Sequence, residues 1–418
     1  MTGKVLVMKT IKDSVHDHIE VDGVASDLLD THAVQRLRHI TQLGTARLVY
    51  PSANHTRFEH SLGVYHLARQ ALTNLGIEGV QAERVRAAAL LHDIGHSPYS
   101  HTIEDLIYRR TGKYHDDVHD LLADSEVGDI LRAHDLDPDT IAGLIAGEGE
   151  LGQVVSGEHD VDRMDYLVRD AHHTGVPYGT IDHERLTHEL TFFDGKLVLA
   201  EGNVQTAESL LVARALMNPT VYNHHVTRIS KSMLQRASER LLDSPDINAE
   251  QLRRMDDHDL LVALRTNPET TELARRLSDR DLYKRAVWAE MVDVSDDIID
   301  ADHDAIREYE DDIAERADVD AEHVTLDVPS RPKMTESSSR VVVNGEIRPL
   351  AKQSTLVRAL QQVQRDQWRL GVYTPAKETD AVGRAAERVL GLETDGALVS
   401  DIRTGVRTTL TDFEEEEE

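Results

Sequence analysis

The stretch Ala87-Ala88-Ala89-Leu90-Leu91-His92-Asp93-Ile94-Gly95-His96-Ser97-Pro98-Tyr99-Ser100-His101 decides how the rest of the chain is read. Ala and Leu favour helix, while Gly and Pro stop it. Residues 82–92 are therefore expected to form a buried helix that delivers His92 and Asp93 at its C-terminal end. A tight loop carrying His96 and His101 follows. The dipeptide alone says little, because His-Asp occurs eight times, beginning at residues 16, 92, 115, 119, 134, 159, 258 and 303. The apolar run before it sets 92–93 apart; the other pairs lie in polar, charge-rich sequence where solvated side chains are the plainer reading. An imidazole and a carboxylate closing an apolar helix are costly to bury without a partner, and a metal ion is the natural one.

Outward from this stretch, residues 4–22 read as short strands or a hairpin. From Val24 the spacing of Leu28, Leu29, Val34, Leu37 and Ile40 predicts helix, ended by Gly44. Residues 45–60 are irregular, and a helix with Leu62, Tyr65, Leu67, Ala68 and Leu72 follows. Further helices are expected at 102–111, 115–134, 138–146 and 159–171. Residues 188–200 read as a hairpin turning at Asp194-Gly195. Residues 204–242 predict a long helical stretch kinked at Pro219, and 247–290 smaller helices. An acidic stretch begins near Asp293. Strands are expected at 324–328 and 340–343, helices at 354–370 and 378–391, and a strand at Leu370–Thr374. The fold expected is mainly α, with small β-hairpins and a small C-terminal α+β appendage. Its divisions are 1–292, 293–413 and a solvated acidic tail, Glu414–Glu418.

Composition narrows the function. Of 418 residues 46 are basic and 76 acidic, a net charge of −30. Acidic residues run along the whole chain, as on the solvated surface of a salt-adapted (halophilic) protein. A nucleic-acid or membrane-surface partner would want a basic face, so neither is expected. With no cysteine, any metal is held by nitrogen and oxygen. No apolar run approaches a membrane span, and Met1–Lys12 lacks a signal-peptide pattern; a cytoplasmic location is expected.

Four candidate ligands fall in three segments: His60, the His92–Asp93 pair, and Asp162. On the helix around Asp162, Val161, Met164, Leu167 and Val168 form an apolar side. Asp162, Tyr166 and Arg169/Asp170 stack on another, as a polar cleft requires. Two His and two Asp suit manganese, iron, nickel, zinc or magnesium, and leave room for water or a substrate oxygen.

The segments Thr56–Val64, His92–His101 and Asp160–His173 together resemble the HD-domain metal-dependent phosphohydrolases. The nearest likeness is to the deoxynucleoside triphosphate triphosphohydrolases, including the sterile-alpha-motif-and-HD-domain branch. The resemblance covers roughly residues 8–235 and implies an HD-domain helical bundle. By it, His60, His92, Asp93 and Asp162 match metal ligands, and His96 and His101 match histidines that face phosphates. His115 matches a proton donor to the leaving oxygen, with His119 as its rival, and Glu104 matches the carboxylate that orients it. A His–carboxylate pair suits proton donation near neutrality. Arg57, Arg163 and Arg214 match residues that hold a triphosphate; Arg163 stands where that branch carries lysine. Gln42, Leu43, Tyr166 and Asp170 match residues at the sugar, and Tyr222 one that crowds a ribose 2′-hydroxyl. Lys9, Asp30, Gln35 and Arg38 match positions that bind an activating nucleotide between subunits.

The activity implied is metal-dependent hydrolysis of a dNTP to deoxynucleoside and inorganic triphosphate. One divalent ion is implied, and a further magnesium with the substrate is compatible with it. A homo-oligomer, dimer or tetramer, is implied as well. Two other readings stand beside this one: an HD phosphohydrolase acting on a monophosphate or on a cyclic or signalling nucleotide, and a non-catalytic nucleotide-sensing protein. The sequence shows no sterile-alpha-motif segment, and residues 293–418 match nothing in that branch.

Overall fold

The computed structural model describes residues 8–245, 247–332 and 339–392, and over these the chain is mainly α-helical with small sheets. The Gly79–Leu91 helix ends where the sequence predicts, with Ala87 to Leu91 wholly buried. It packs against the Arg57–Asn74 and Pro138–Ile145 helices. Arg57–Asn74 starts at a capping box, in which the Glu59 carboxylate accepts from the Thr56 backbone N–H (2.6 Å) and hydroxyl (2.9 Å). That box satisfies otherwise orphaned N-terminal groups and sets His60 at the fourth position of the helix. The Val161–Thr174 helix packs against the same element and brings Asp162 to it. Asp160 caps it by accepting from Arg163 N–H at 2.8 Å.

Several elements depart from the sequence reading. The expected helix at 24–44 is two short ones, Gly23–Leu28 and His32–Arg36, because Thr31 caps a new start. Gly44, at φ +54°, opens a 3-10 turn rather than closing a helix. The expected 115–134 helix is broken into His119–Leu122 and Glu126–Ala133, where Ser125 Oγ accepts from Gly128 N–H. Lys284–Glu290, expected to be helical, is a strand. Local composition there does not oppose helix; its partner Arg369–Thr374 lies some eighty residues on.

The hairpins form as expected. Lys9–Asp13 pairs with Asp17–Val21, and Leu190–Phe193 pairs with Lys196–Leu199 around Asp194 and Gly195, both at positive φ. Pro219 sits in a π turn, Asn218–Tyr222, between the Val204–Met217 and His225–Asp243 helices, as helix-breaking residues do.

Two compact units emerge. The first comprises residues up to Asp281 together with a returning segment that ends at Gln362; the second comprises the remainder, Leu282 to residue 332 and from Val363 onward. The division thus differs from a single cut at residue 292. The returning segment joins the first unit because Leu199 pairs in parallel with Val341, and because Val341, Leu350, Val357 and Leu360 enter its core. In the second unit, Lys284–Glu290, Arg369–Thr374 and Thr325–Asp327 form an antiparallel sheet. The His303–Ala317 and Thr379–Val389 helices supply Ile313, Val382 and Ala386 to its own core. The acidic tail lies outside the described residues. Among the described residues no helix is long and apolar enough to cross a membrane.

Candidate metal centre

Three elements bring the four predicted ligands together in the first unit. His60 Nε2 lies 2.8 Å from Asp162 Oδ1, 3.3 Å from His92 Nε2 and 3.8 Å from Asp93 Oδ2. His92 Nε2 is 3.3 Å from Asp93 Oδ1 and 3.7 Å from Asp162 Oδ1. The outer nitrogens decide what these atoms offer. His92 Nδ1 is 2.9 Å from Ala89 O, an acceptor. His60 Nδ1 is 2.7 Å from Asp165 Oδ2, another acceptor. Each Nδ1 therefore acts as a donor, which leaves each Nε2 as the nitrogen a cation would take. Two such nitrogens at 3.3 Å beside two carboxylates fit a cation. Burial opposes charge on His60, yet the hydrogen bonds with Asp162 and Asp165 and the charge of Asp93 raise its pKa to about 10; the surroundings favour positive charge there, and a metal ion would take the place of the Nε2 proton. The His60–Asp165 contact has the form of the carboxylate–imidazole pairs that orient metal-ligating histidines.

Asp93 is held by Arg57, whose Nη1 donates to both carboxylate oxygens at 3.1 and 3.0 Å. Burial works against ionisation, but the Arg57 guanidinium, with His92 and His96, keeps the carboxyl well below its usual range. Arg57 Nε also donates to Ser100 Oγ at 2.9 Å. In this arrangement Arg57 grips a ligand carboxylate and the loop after it.

A second cluster adjoins the first. Ligating atoms of His96, His101, Glu104 and His115 lie within 4.8 Å of one another. His96 Nε2 is 3.2 Å from Asp93 Oδ1, and its ring stacks on His115 at 4.1 Å. Glu104 accepts from His101 Nδ1 at 2.6 Å and from His115 Nδ1 through its other oxygen. Burial lowers the His96 pKa well below its ordinary value, with the charges of Arg57 and His115 adding to it. His115 moves the other way: burial would lower it, but the Glu104 hydrogen bond and charge raise it. His119 lies apart, exposed and 3.4 Å from Asp139.

On the candidate sugar side, Tyr222 donates to Asp170 Oδ2 at 2.9 Å, and its ring meets Tyr166 edge-on at 6.1 Å. Gln42 is buried, with Oε1 left without a hydrogen-bond partner, and Leu43 packs on the core. Arg214 acts electrostatically on both tyrosines. Arg163 Nη1 donates to Glu158 O. Lys9 pairs with Asp30 at 2.6 Å, and Arg38 donates to Gln35 at 2.8 Å while lying over the Phe58 ring.

Arg169 departs from expectation. It does not face a polar cleft with Asp162 but is wholly buried, donating to Asp165 (2.9 and 3.0 Å) and Asp13 (2.9 and 3.3 Å). Asp165 also faces His16 at 2.6 Å. Gly63 permits this approach, since a Cβ there would fall 1.8 Å from Asp165 Oδ1. The i, i+4 spacing of Asp165 and Arg169 is the signal that marks the pair in the sequence.

Other supports carry no such signal. Arg36 donates to Ile94 O and His96 O on one side, and to Arg253 O, Arg254 O and Met255 O at the end of the Ala249–Arg254 helix on the other. Asp257 accepts from Tyr99 N–H at 2.6 Å and from the Thr41 N–H and hydroxyl at 3.0 and 2.8 Å. Tyr99 and Ser100 are both left-handed, at φ +56° and +58°, which non-glycine residues adopt only when their surroundings insist.

Comparison with known proteins agrees with this architecture. Residues 57–170 match the HD domain, and 181–401 match the HD associated region. An uncharacterized protein of Methanocaldococcus jannaschii is 33% identical over 384 residues, 89% of this chain and 80% of that one. The deoxynucleoside triphosphate triphosphohydrolase SAMHD1 homolog of Dictyostelium discoideum is 29% identical over 310 residues, 66% of this chain and 59% of that one; the chain thus spans under two thirds of this relative. The crystal structure of a phosphohydrolase from Bacteroides thetaiotaomicron superposes with a TM-score of 0.71 at 27% identity, covering 88% of this chain and all of that one. The chain belongs to the HD-domain family, the class of metal-dependent phosphohydrolases. Within that class it resembles the deoxynucleoside triphosphate triphosphohydrolases.

Proposed function

We propose that the protein hydrolyses deoxynucleoside triphosphates to deoxynucleoside and inorganic triphosphate. The observation that carries this reading is the abutment of the two clusters, with His96 3.2 Å from Asp93 and stacked on the His115–Glu104 pair. A cation site then has a proton donor beside it, as cleavage of a phosphate ester requires. His60, His92, Asp93 and Asp162 would hold a divalent ion, which would supply Lewis acidity for the phosphoryl group and the attacking water. The chain does the rest. Water adds to the α-phosphorus, the bond to the 5′-oxygen breaks, and His115 gives that oxygen its proton. The water oxygen stays on the triphosphate. Neutral His96, with His101, faces the phosphates, and Arg163 and Arg214 offset their charge. Tyr222, braced on Asp170, crowds a 2′-hydroxyl and favours deoxyribose. Lys9, Asp30, Gln35 and Arg38 are the proposed seat of an activating nucleotide.

The test is product analysis by HPLC over all eight dNTPs and NTPs with manganese or magnesium, each with and without GTP. Inorganic triphosphate and a deoxynucleoside are expected. In parallel assays, release of phosphate from monophosphates alone, or ring-opening of cyclic nucleotides to monophosphates alone, would transfer the site to another nucleotide. Metal-reconstituted protein that cleaves none of them would be a sensor rather than an enzyme.

A further inference from the structure

His55 belongs to neither cluster and sits in the turn ahead of the Arg57–Asn74 helix. It is 2% exposed. Its Nε2 is 2.8 Å from Asp170 Oδ1, while Tyr222 occupies the other oxygen of the same carboxylate. Its Nδ1 is buried with no hydrogen-bond partner. Its ring lies flat against His173, with centroids 4.4 Å apart and planes 13° apart. Its carbonyl accepts the Gln42 N–H at 3.0 Å. One residue thus holds two candidate sugar-side groups, Gln42 through the backbone and Asp170 through the imidazole.

The proton assignment follows from the partners. An ionised Asp170 only accepts, so His55 Nε2 carries the hydrogen. A proton on Nδ1 as well would be buried without an acceptor, a costly state. His55 is therefore a neutral donor of fixed tautomer, kept in plane by His173. With Nε2–H on one oxygen and the tyrosine hydroxyl on the other, the Asp170 carboxylate cannot rotate without breaking a buried hydrogen bond. The phenol it anchors is fixed with it.

We infer that His55 is a specificity-determining positioning residue: through Asp170 it sets where the Tyr222 ring stands, and so how strongly a ribonucleotide is rejected. This rests on the deoxyribonucleotide reading above. Neither residue need move far to matter, since a steric gate is lost once its ring can swing aside.

The test measures kcat/KM for dGTP and GTP on the full, manganese-loaded chain, together with metal content per chain. His55→Phe keeps a flat ring against His173 but removes the donor. Its dGTP:GTP ratio should fall at least tenfold with metal content unchanged, and His55→Gln, which restores an N–H, should recover most of it. The ratio does not depend on the fraction of chain folded. Calorimetric binding of dGTP and GTP to metal-stripped protein should show the same loss without turnover. Should His55→Phe not fold, Tyr222→Phe removes the opposite hydrogen bond and should move the ratio the same way. A ratio within twofold of the wild type in the folded variant overturns the inference while leaving the proposed activity intact. A wild type that cleaves no dNTP, or does not discriminate, overturns the activity and this inference with it.

Discussion

Replacing Arg169 with methionine tests whether the buried network behind His60 is what holds the first unit together at that point. The guanidinium is wholly buried and makes four hydrogen bonds to two carboxylates, Asp13 and Asp165. Methionine fills much of the volume, so packing loss is small; the damage is two buried carboxylates left without their cation. Removing one partner of a buried ion pair costs about 3–5 kcal/mol. His16 and His60 still face Asp165, and the Val15 and His16 N–H groups still serve Asp13, which favours the lower half of that range. Urea unfolding followed by far-UV circular dichroism should show the loss. Fluorescence provides an internal reference, because both tryptophans, Trp288 and Trp368, belong to the second unit. Acid should reveal the same group. Burial alone would raise the pKa of both carboxyls, but Arg169 leads the influences that depress them below 3.8, Asp165 the further. Their stabilisation is therefore present above about pH 4 and lost as pH falls through the depressed values. The stability difference between wild type and variant should therefore be largest above about pH 4 and narrow as pH falls below it. A shift under about 1 kcal/mol, with an unchanged acid profile, would refute the assignment of the network as stabilising.

Four further outcomes are expected. Asp162→Ala should lower bound metal by at least tenfold, by elemental analysis, and abolish metal-dependent turnover; full metal content at wild-type rate would remove Asp162 from the ligand set. Gly95→Ala should reduce kcat by about a hundredfold (a displacement of about 1 Å at a reacting centre suffices), because its Cβ would fall 2.1 Å from His115 O; wild-type kinetics would mean the loop is not so constrained. Burial would lower the His115 pKa, but the Glu104 hydrogen bond and charge raise it from its ordinary value; a proton donor there should give a rate that falls as pH rises through the raised value, an alkaline limb displaced upward from that of a free imidazole. A His115→Gln profile that keeps this alkaline limb would assign the limb elsewhere. Tyr222→Ala should narrow the gap between dGTP and GTP turnover, and an unchanged ratio would rule out a steric gate.

What the sequence discloses depends on how far apart the interacting residues lie. The Asp194-Gly195 turn and the end of the central helix at His92 are each set within a few residues, and each was legible; the Thr56–Glu59 box is as local, yet residues 45–60 read as irregular while the helix starts at Arg57. Legible too was the convergence of His60, His92, Asp93 and Asp162 on the candidate cation site, since each closes or opens an apolar helix. Arg36 and Asp257 escaped notice because they act on carbonyls and N–H groups some 58 to 219 residues away, which no local pattern records. His55 is similarly silent: it looks like one more polar loop residue until Asp170 arrives beside it. Lys284–Glu290 failed for the same reason, its strand character being conferred by Arg369–Thr374. The Ser125 break was legible in principle, as Ser before Glu126 is a helix-start signal, but the apolar spacing across 115–134 masked it.

The contacts of Arg36 and Asp257 bear on which portion of this chain could be transplanted as a piece. The HD match, 57–170, encloses every proposed ligand, the donor pair and their loop. Yet Arg36, Thr41, His55 and the helix beginning at Asp257 all lie outside it, as do His16 and Asp13. A graft of 57–170 onto another scaffold would carry the reactive groups and leave behind the residues that keep Tyr99, Ser100 and Asp170 in place. Inheritance of the proposed site in this form therefore requires the chain from the first hairpin through the Asp257–Thr266 helix to travel together, which ties part of the associated region to the candidate centre it follows in sequence.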